Sequence, residues 1–400
     1  MRLLISVFSP PHPESGGLTR MTAIAEAAMS RGHQIAFCAY GYTGNILKNL
    51  GHKLYEMPGS TIFSLPNFFS RMISQRTQQI SLPIKEGRSV GSMWLLYVIS
   101  GMGSSRYLIR YIDEGIKAVR SFQPDLLITD YNPGAFLLAE VTGLPLVSTF
   151  SSIFTKGNGS FAWKMMNRAT KVALRHYGKN HHTIDDVFYG PSIFKIIPTI
   201  PELDDVPSSR QDVLYVGNLL GKIRPTSPID FDLNGNKKIV FIYVGTGSIS
   251  VKLLRKILPK VFPDNGNYNC FVGAQSIKES YKIEAVRFSS YLPANEILPH
   301  CDWTICHGGQ NTIIQSLLYG IPLILFPGGV FERRYNAEKV KEAGCGIMGE
   351  VKDFNVEWLI SSLKRHSEFV NNAKRFSERI RSYEGAVSAV RTFEQKYSSN

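Results

Sequence analysis

Short apolar runs alternate along the chain with stretches in which apolar residues recur every three or four positions. The runs read as buried strands and the stretches as amphipathic helices. Leu3–Phe8 is the first strand, followed by a Gly-rich turn and a helix from Leu18 to Arg31. Gly32 stops that helix, puts His33 in a turn and leads into a strand at Gln34–Ala39. Asp125–Thr129, Gly134–Val141 and Pro145–Thr149 read as strand, helix and strand. The alternation restarts at Ile239–Val244, with a helix over Val251–Leu258. Further strands follow at Asn269–Val272, Ala285–Phe288, Trp303–Cys306 and Pro322–Phe326. Strands separated by helices imply doubly wound parallel sheets, an α/β fold. A chain of 400 residues exceeds what one core organises, so two domains are expected. Pro198, Pro201 and Pro207 punctuate a polar stretch that reads as the linker. The expected division is a first domain over 1–200, a linker over 201–212 and a second domain over 213–375. The charged, helix-like tail over 376–400 is able to cross back to the first domain.

Charge sharpens this picture. The chain has 45 basic and 32 acidic residues, net +13. Residues 60–123 hold eight basic and three acidic residues, and 156–195 hold seven and two, so these two stretches carry +10 of that excess. Such a balance favours an anionic partner. Lys164, Arg168, Lys171 and Arg175 follow one another at steps of four, three and four, a basic stripe along one helical face. Phe63, Leu65, Phe68, Phe69, Met93, Trp94, Leu95 and Leu96 lie in the same half and read as exposed. Basic residues beside apolar ones suit an anionic bilayer surface. No zinc-finger, basic-zipper or RNA-binding signature accompanies the charge, so nucleic acid is not the expected partner. The longest apolar stretch, Met93–Ile99, is far short of a membrane span. The first apolar run ends at Pro10-Pro11, too early for a signal peptide. Cys38, Cys270, Cys301, Cys306 and Cys345 form no disulfide framework. The expectation is a cytoplasmic protein, peripheral on the cytoplasmic face of the membrane.

The chemistry concentrates between residues 291 and 337. Tyr291-Leu-Pro-Ala294 precedes the strand Trp303–Cys306, which runs into His307-Gly308-Gly309-Gln-Asn311-Thr312. Gln315, Gly320-Ile-Pro322 and Pro327-Gly-Gly-Val-Phe-Glu332-Arg333-Arg334-Tyr-Asn336-Ala337 follow. A helix starting near Asn311 directs free N–H groups and the positive end of its dipole at the loop, which suits an anion. Gly308 and Gly309 allow a phosphate close to the backbone, and His307 adds a side chain there. A plain strand-to-helix turn is the alternative reading. Gly245-Thr246-Gly247-Ser248, after another strand, is a weaker site of the same kind. Cys301-x4-Cys306 across a strand is poor metal-ligand geometry, and no metal site is expected.

These motifs resemble the nucleotide-sugar-binding half of GT-B glycosyltransferases of the UDP-glycosyltransferase type. That pattern runs aromatic-x-Pro, His-Gly-Gly-x-x-Thr, Glu-Ala-Leu, Gly-x-Pro and Pro-x-x-x-Asp-Gln-x-x-Asn-Ala. The resemblance is strong over about Ser289–Gly346 and weaker along the rest. It implies two Rossmann-like domains facing across a cleft. It implies that His307, Gly308, Gly309, Asn311 and Thr312 hold the nucleotide diphosphate, with Thr246 and Ser248 close to it. Tyr291 would stack on the base and the backbone at Ala294 pair with its edge. Gln315 stands where the family has a ribose-binding Glu. Glu332-Arg333 stands where it has the Asp-Gln that grips the donor sugar, so Glu332 keeps an acceptor and Arg333 faces a phosphate or an acidic sugar.

The first domain departs from the pattern. The family's general-base His falls on Gly17 here, and the Pro-to-Gly16-Gly17 spelling instead resembles the glycine loop of other GT-B families, which implies that Gly17 approaches the donor diphosphate. His12, Glu14 and Asp130 are the nearby candidates for the base. Asp130 ends a strand, where α/β sites gather. The implied reaction is transfer of a sugar from a nucleotide sugar, most simply a UDP-sugar, to an acceptor hydroxyl, inverting and without metal or cofactor. Developing charge on the diphosphate would be met by the helix end, His307 and Arg333 or Arg334. The basic first domain points to a lipid-linked or membrane-proximal acceptor; a small hydrophobic metabolite is the alternative. A nucleotide-sugar binder without turnover and a sugar-nucleotide epimerase of the same fold are the rival readings.

Overall fold

The computed structural model describes residues 1–8, 16–61, 91–180, 183–207, 210–221, 236–244, 249–274 and 276–398. The first domain runs β1 (Arg2–Ser6), α1 (Gly16–Ser30), β2 (Gln34–Ala39), α2 (Gly41–Asn49) and β3 (Lys53–Glu56). It continues with α3 (Met93–Ile99), α4 (Ser105–Phe122), β4 (Leu126–Thr129), α5 (Pro133–Thr142), β5 (Leu146–Thr149), α6 (Phe161–His176), α7 (Ile184–Tyr189), β6 (Phe194–Ile197) and β7 (Val213–Tyr215). The second domain runs β8 (Lys238–Tyr243), α8 (Val251–Val261), β9 (Tyr268–Gly273), β10 (Tyr281–Ile283), β11 (Val286–Ser289), α9 (Ala294–Ile297) and β12 (Trp303–Cys306). It ends with α10 (Gln310–Leu318), β13 (Leu323–Leu325), α11 (Phe331–Glu342), β14 (Gly346–Met348), α12 (Val356–Lys364) and α13 (His366–Arg381). A last helix, α14, spans Ala386–Tyr397.

Each half has one seven-stranded sheet, ordered β3-β2-β1-β4-β5-β6-β7 and β10-β11-β9-β8-β12-β13-β14. All pairings are parallel except β10 with β11. The central strands Leu126–Thr129 and Trp303–Cys306 are buried along their whole length. That is why they read as unbroken apolar runs rather than alternating ones. Among the described residues, no helix is long and apolar enough to cross a membrane.

The Pro-rich stretch does not separate the two sheets. After it, β7 returns to pair with β6 through Lys195↔Val213, Ile196↔Leu214 and Ile197↔Tyr215. The stretch itself packs on the second domain, where Ile200 and Leu203 join the core beside α10, α11 and α13. Residues 213–215 therefore belong to the first sheet, and the change of sheet falls between Tyr215 and Lys238.

The apolar segment Met93–Ile99 is also placed differently from the expectation. Met93 and Trp94 are buried in the first-domain core, and Leu95 and Leu96 pack against it. Their apolar character serves folding rather than a surface. Phe63, Leu65, Phe68 and Phe69 lie outside the described residues.

α14 packs on α1 in the first domain, burying Ala389, Val390 and Phe393 with Ile24 and Ala28. A polar cluster ties down its far end. Arg31 donates to both carboxylate oxygens of Glu394, at 2.9 and 2.6 Å, and the His33 ring meets the same carboxylate at 2.8 Å. Phe393→Ala is expected to cost about 3–5 kcal/mol by leaving a cavity under α1, read as a lowered urea midpoint of the first-domain transition.

Candidate active site

The C-terminal ends of β1, β4 and β5 build one wall of the site. Asp130 follows β4 directly and is buried. Tyr131 beside it adopts φ 56°, a conformation side chains other than glycine rarely take. The Tyr97 hydroxyl donates to the Tyr131 carbonyl at 2.7 Å and pins the turn. Asn132 then caps α5, accepting from the Gly134 amide at 3.1 Å. Asp130 is thereby held at the strand end with its carboxylate directed at α1.

There it meets Arg20, a residue that sequence reasoning passed over. The guanidinium donates through Nε to Asp130 Oδ1 at 2.8 Å and through Nη2 to Oδ2 at 3.0 Å, a two-pronged pair. Thr149 adds a third donor, its hydroxyl to Oδ1 at 2.7 Å. Oδ2 faces Gly17, where any added Cβ would overlap it. Gly17 thus leaves a carboxylate edge uncovered where a larger residue would cover it. His12, Glu14, Thr246 and Ser248 lie outside the described residues.

The opposite wall is the start of α10. Its cap position, Gly309, supplies no side-chain acceptor. The first intrahelical bond is Ile313 N to Gly309 O, at 3.1 Å. The amides of Gln310, Asn311 and Thr312 precede that bond, so none has a helical partner. An N-terminus of this kind can hold an anion. Gly308, at φ 85°, has no room for a Cβ against the Arg333 carbonyl. Its own carbonyl accepts from Asn336 Nδ2 at 3.0 Å, so α11 locks the glycine loop. Glu332 lies beside that amide, its Oε1 3.5 Å from Asn336 Nδ2.

His307 is buried at the end of β12. Its Nδ1 lies 3.3 Å from the Tyr243 carbonyl, so the neutral ring donates there. Nε2 is left facing Gly309 as a lone pair. The donor expected of this side chain is thus already engaged, and Nε2 donates only when the ring is protonated. Burial first, and the charge of Arg333 second, push its pKa down to about 3, against the pull of the Tyr243 carbonyl.

Asn311 joins the two walls. Its Oδ1 accepts from Arg20 Nη1 at 2.9 Å, and its Nδ2 donates to the Gly16 carbonyl at 3.2 Å. One guanidinium therefore holds Asp130 of the first domain and Asn311 of the second. Gln315, one turn further along α10, donates to Asn295 Oδ1 at 2.6 Å. This ties it to the segment of the exposed Tyr291 and the half-buried Ala294. Arg334 is placed elsewhere. It is buried and paired with Glu350 through one Nη, while its Nε has no partner among the described residues.

The basic stripe lies on α6, away from these walls. Lys164, Arg168 and Arg175 are exposed and Lys171 is half-buried, while Met166, Ala173 and Leu174 pack inward. The outer face also carries apolar side chains: Phe161 is 79% exposed, and Met165 and Val172 are exposed beside it.

Comparison with known proteins fits this geometry. Residues 271–383 match the model of the erythromycin biosynthesis protein CIII-like C-terminal domain. An uncharacterized glycosyltransferase of Methanosarcina acetivorans is 26% identical over 83% of this chain and 82% of its own length. The kitacinnamycin glycosyltransferase superposes with a TM-score of 0.74 at 15% identity, covering 99% of this chain and 98% of its own. The glycosyltransferase VinC, solved in complex with dTDP, superposes with a TM-score of 0.71 at 16% identity, covering 100% of both chains. The fold is the two-domain GT-B architecture.

The buried imidazole has a measurable consequence. Its folded value lies below the ordinary 6.5, so its contribution to stability is full above pH 6.5. The contribution is lost as pH falls from there towards about 3, at up to about 1.4 kcal/mol per unit. His307→Gln removes this part of the acid sensitivity. The drop in unfolding free energy between pH 7 and pH 4 is expected to be smaller in the variant than in the wild type.

Proposed function

We propose that this chain, a glycosyltransferase of the GT-B fold, moves a sugar from a pyrimidine-nucleotide sugar, UDP-sugar first, to an acceptor hydroxyl with inversion and without a metal. The observation that carries this reading is the shared guanidinium. Arg20 spans from Asp130 to Asn311, so a base candidate and an uncapped helix N-terminus face each other across one side chain. The diphosphate sits on the amides of Gly309, Asn311 and Thr312. As the bond from anomeric carbon to phosphate oxygen breaks, charge grows on that oxygen. The helix end and Arg333 stabilise it, as a preorganised positive field does. The bound diphosphate also favours a protonated His307, whose Nε2 then donates. Tyr291 and Ala294 receive the base, Gln315 with Asn295 the ribose, and Glu332 the donor-sugar hydroxyls.

Asp130 takes the proton of the attacking hydroxyl through Oδ2, the oxygen beside Gly17. Arg20 and Thr149 hold the carboxylate in place and aimed. VinC was solved with dTDP, so a thymidine donor is tested beside uridine. The exposed Phe161 and the basic residues of α6 support an acceptor presented at an anionic membrane surface. A nucleotide-sugar binder without turnover is the second reading, favoured by the pairing of Asp130 with Arg20.

The test follows nucleotide release from UDP- and dTDP-sugars with lipid extract as acceptor, in EDTA, with the anomeric configuration of the product read by NMR. Turnover with an inverted product is expected. Asp130→Asn is expected to lower kcat about 100-fold or more with the donor KM little changed. Gly17→Ala, which crowds Oδ2, is expected to lower kcat in the same manner. Donor binding without turnover supports the second reading, and a changed sugar without acceptor indicates an epimerase.

A further inference from the structure

A second cavity, of about 550 Å³, opens at the C-terminal edge of the first sheet. Tyr40, directly after β2, and Met57, directly after β3, form one side of it. Ser60 lies beyond them, and the first turns of α4 contribute Arg106, Tyr107 and Arg110 from the other side. Gly59 holds this shape. A Cβ there would run into the Tyr40 ring, so the ring lies flat on bare backbone.

Among the described residues the cavity's charge is one-sided. Arg106 and Arg110 are exposed and have no hydrogen bond or ion pair among the described residues. The nearby acids are engaged elsewhere: Asp113 accepts from the Tyr177 hydroxyl and Glu114 pairs with Lys117. Two like charges four residues apart repel along a helix, a cost that an anion between them removes. α4 also starts here, and its cap residue Ser104, another wall of the cavity, makes no capping hydrogen bond. The first amides of α4 and its dipole therefore add to the positive field. Ser60 lines the cavity at 7% exposure, but its hydroxyl, buried and without a partner among the described residues, does not open into it.

We propose that this cavity is an oxyanion subsite, taking a carboxylate or phosphate carried by the acceptor on an otherwise apolar body. This rests on reading the first domain as the acceptor half. The guanidinium groups of Arg106 and Arg110 and the start of α4 hold the anion. Tyr40, Met57 and Tyr107 pack the apolar part. The subsite stands at a workable distance from the base. Strand order places β2 two steps and β3 three steps from β4, all parallel. At about 4.8 Å per step the cavity lies roughly 10–15 Å from Asp130 along the same edge. The acceptor thus carries its acidic group about that far from the hydroxyl that receives the sugar.

The test uses the full chain with methyl-labelled methionine and saturating UDP, which keeps anions off the donor site. The Met57 methyl resonance, assigned through Met57→Leu, reports occupancy of the cavity. Benzoate, phenyl phosphate and the neutral benzyl alcohol are titrated separately. At least one anion is expected to shift Met57 saturably, and the tighter of the two identifies the acidic group. Benzyl alcohol is expected to bind at least tenfold more weakly. Arg106→Gln with Arg110→Gln, both at exposed positions, is expected to weaken the anion roughly tenfold or more. Equal binding of benzyl alcohol, unchanged binding in the double variant, or no shift with either anion at millimolar concentration overturns the proposal. UDP binding in the same samples is read separately, so failure of the donor site is distinguished from failure of this one.

Discussion

The arrangement of this molecule depends on one guanidinium. Arg20 projects from the first turns of α1 and makes hydrogen bonds to a carboxylate of its own domain and an amide of the other. A fixed, planar, five-donor fork can do this where an ammonium cannot. It sets the distance between the end of β4 and the start of α10. Further contacts cross the cleft, among them the Ser152 hydroxyl with the Tyr335 hydroxyl at 2.8 Å. Phe331 at the start of α11 reaches into the first-domain core.

The site is built from opposed electrostatic demands. The start of α10 keeps its amides free, with no side chain capping them. His307, buried behind them, stays neutral in the absence of a partner. Across the cleft, Asp130 is buried and held by Arg20 and Thr149. On the proposed reading, the first wall takes an anion and the second an approaching hydroxyl. The glycines allow this closeness: Gly308 meets the Arg333 carbonyl and Gly17 meets Asp130 Oδ2.

Much of this was legible where residues adjacent in the chain act together. The strand Trp303–Cys306 and the loop after it are one continuous segment, so their chemistry could be read directly. The long apolar runs of β1, β2, β4 and β8 were readable because both faces are buried. The edge strands were not. β3 is a half-exposed Lys-Leu-Tyr-Glu, and β10 has two exposed residues of three. β6 was hidden by Lys195, which is buried against Asp212 at 2.5 Å and two carbonyls and interrupts the apolar run. Arg20, Thr149 and Asn295 were missed because their partners are 110, 19 and 20 residues away. The one available signal was that Arg20 is the only basic residue in α1. His33 read as a turn residue, yet it braces α14 through Glu394. Trp94 showed the converse, an aromatic that read as exposed and lies in the core.

The most direct test of the account is calorimetric titration of UDP and dTDP into the wild type and His307→Ala. The account predicts a single site for at least one of the two nucleotides. The site is to be lost or strongly weakened in the variant, with proton uptake on binding by the wild type as His307 becomes charged. Absence of binding at millimolar concentration, or equal affinity in the two proteins, would contradict it.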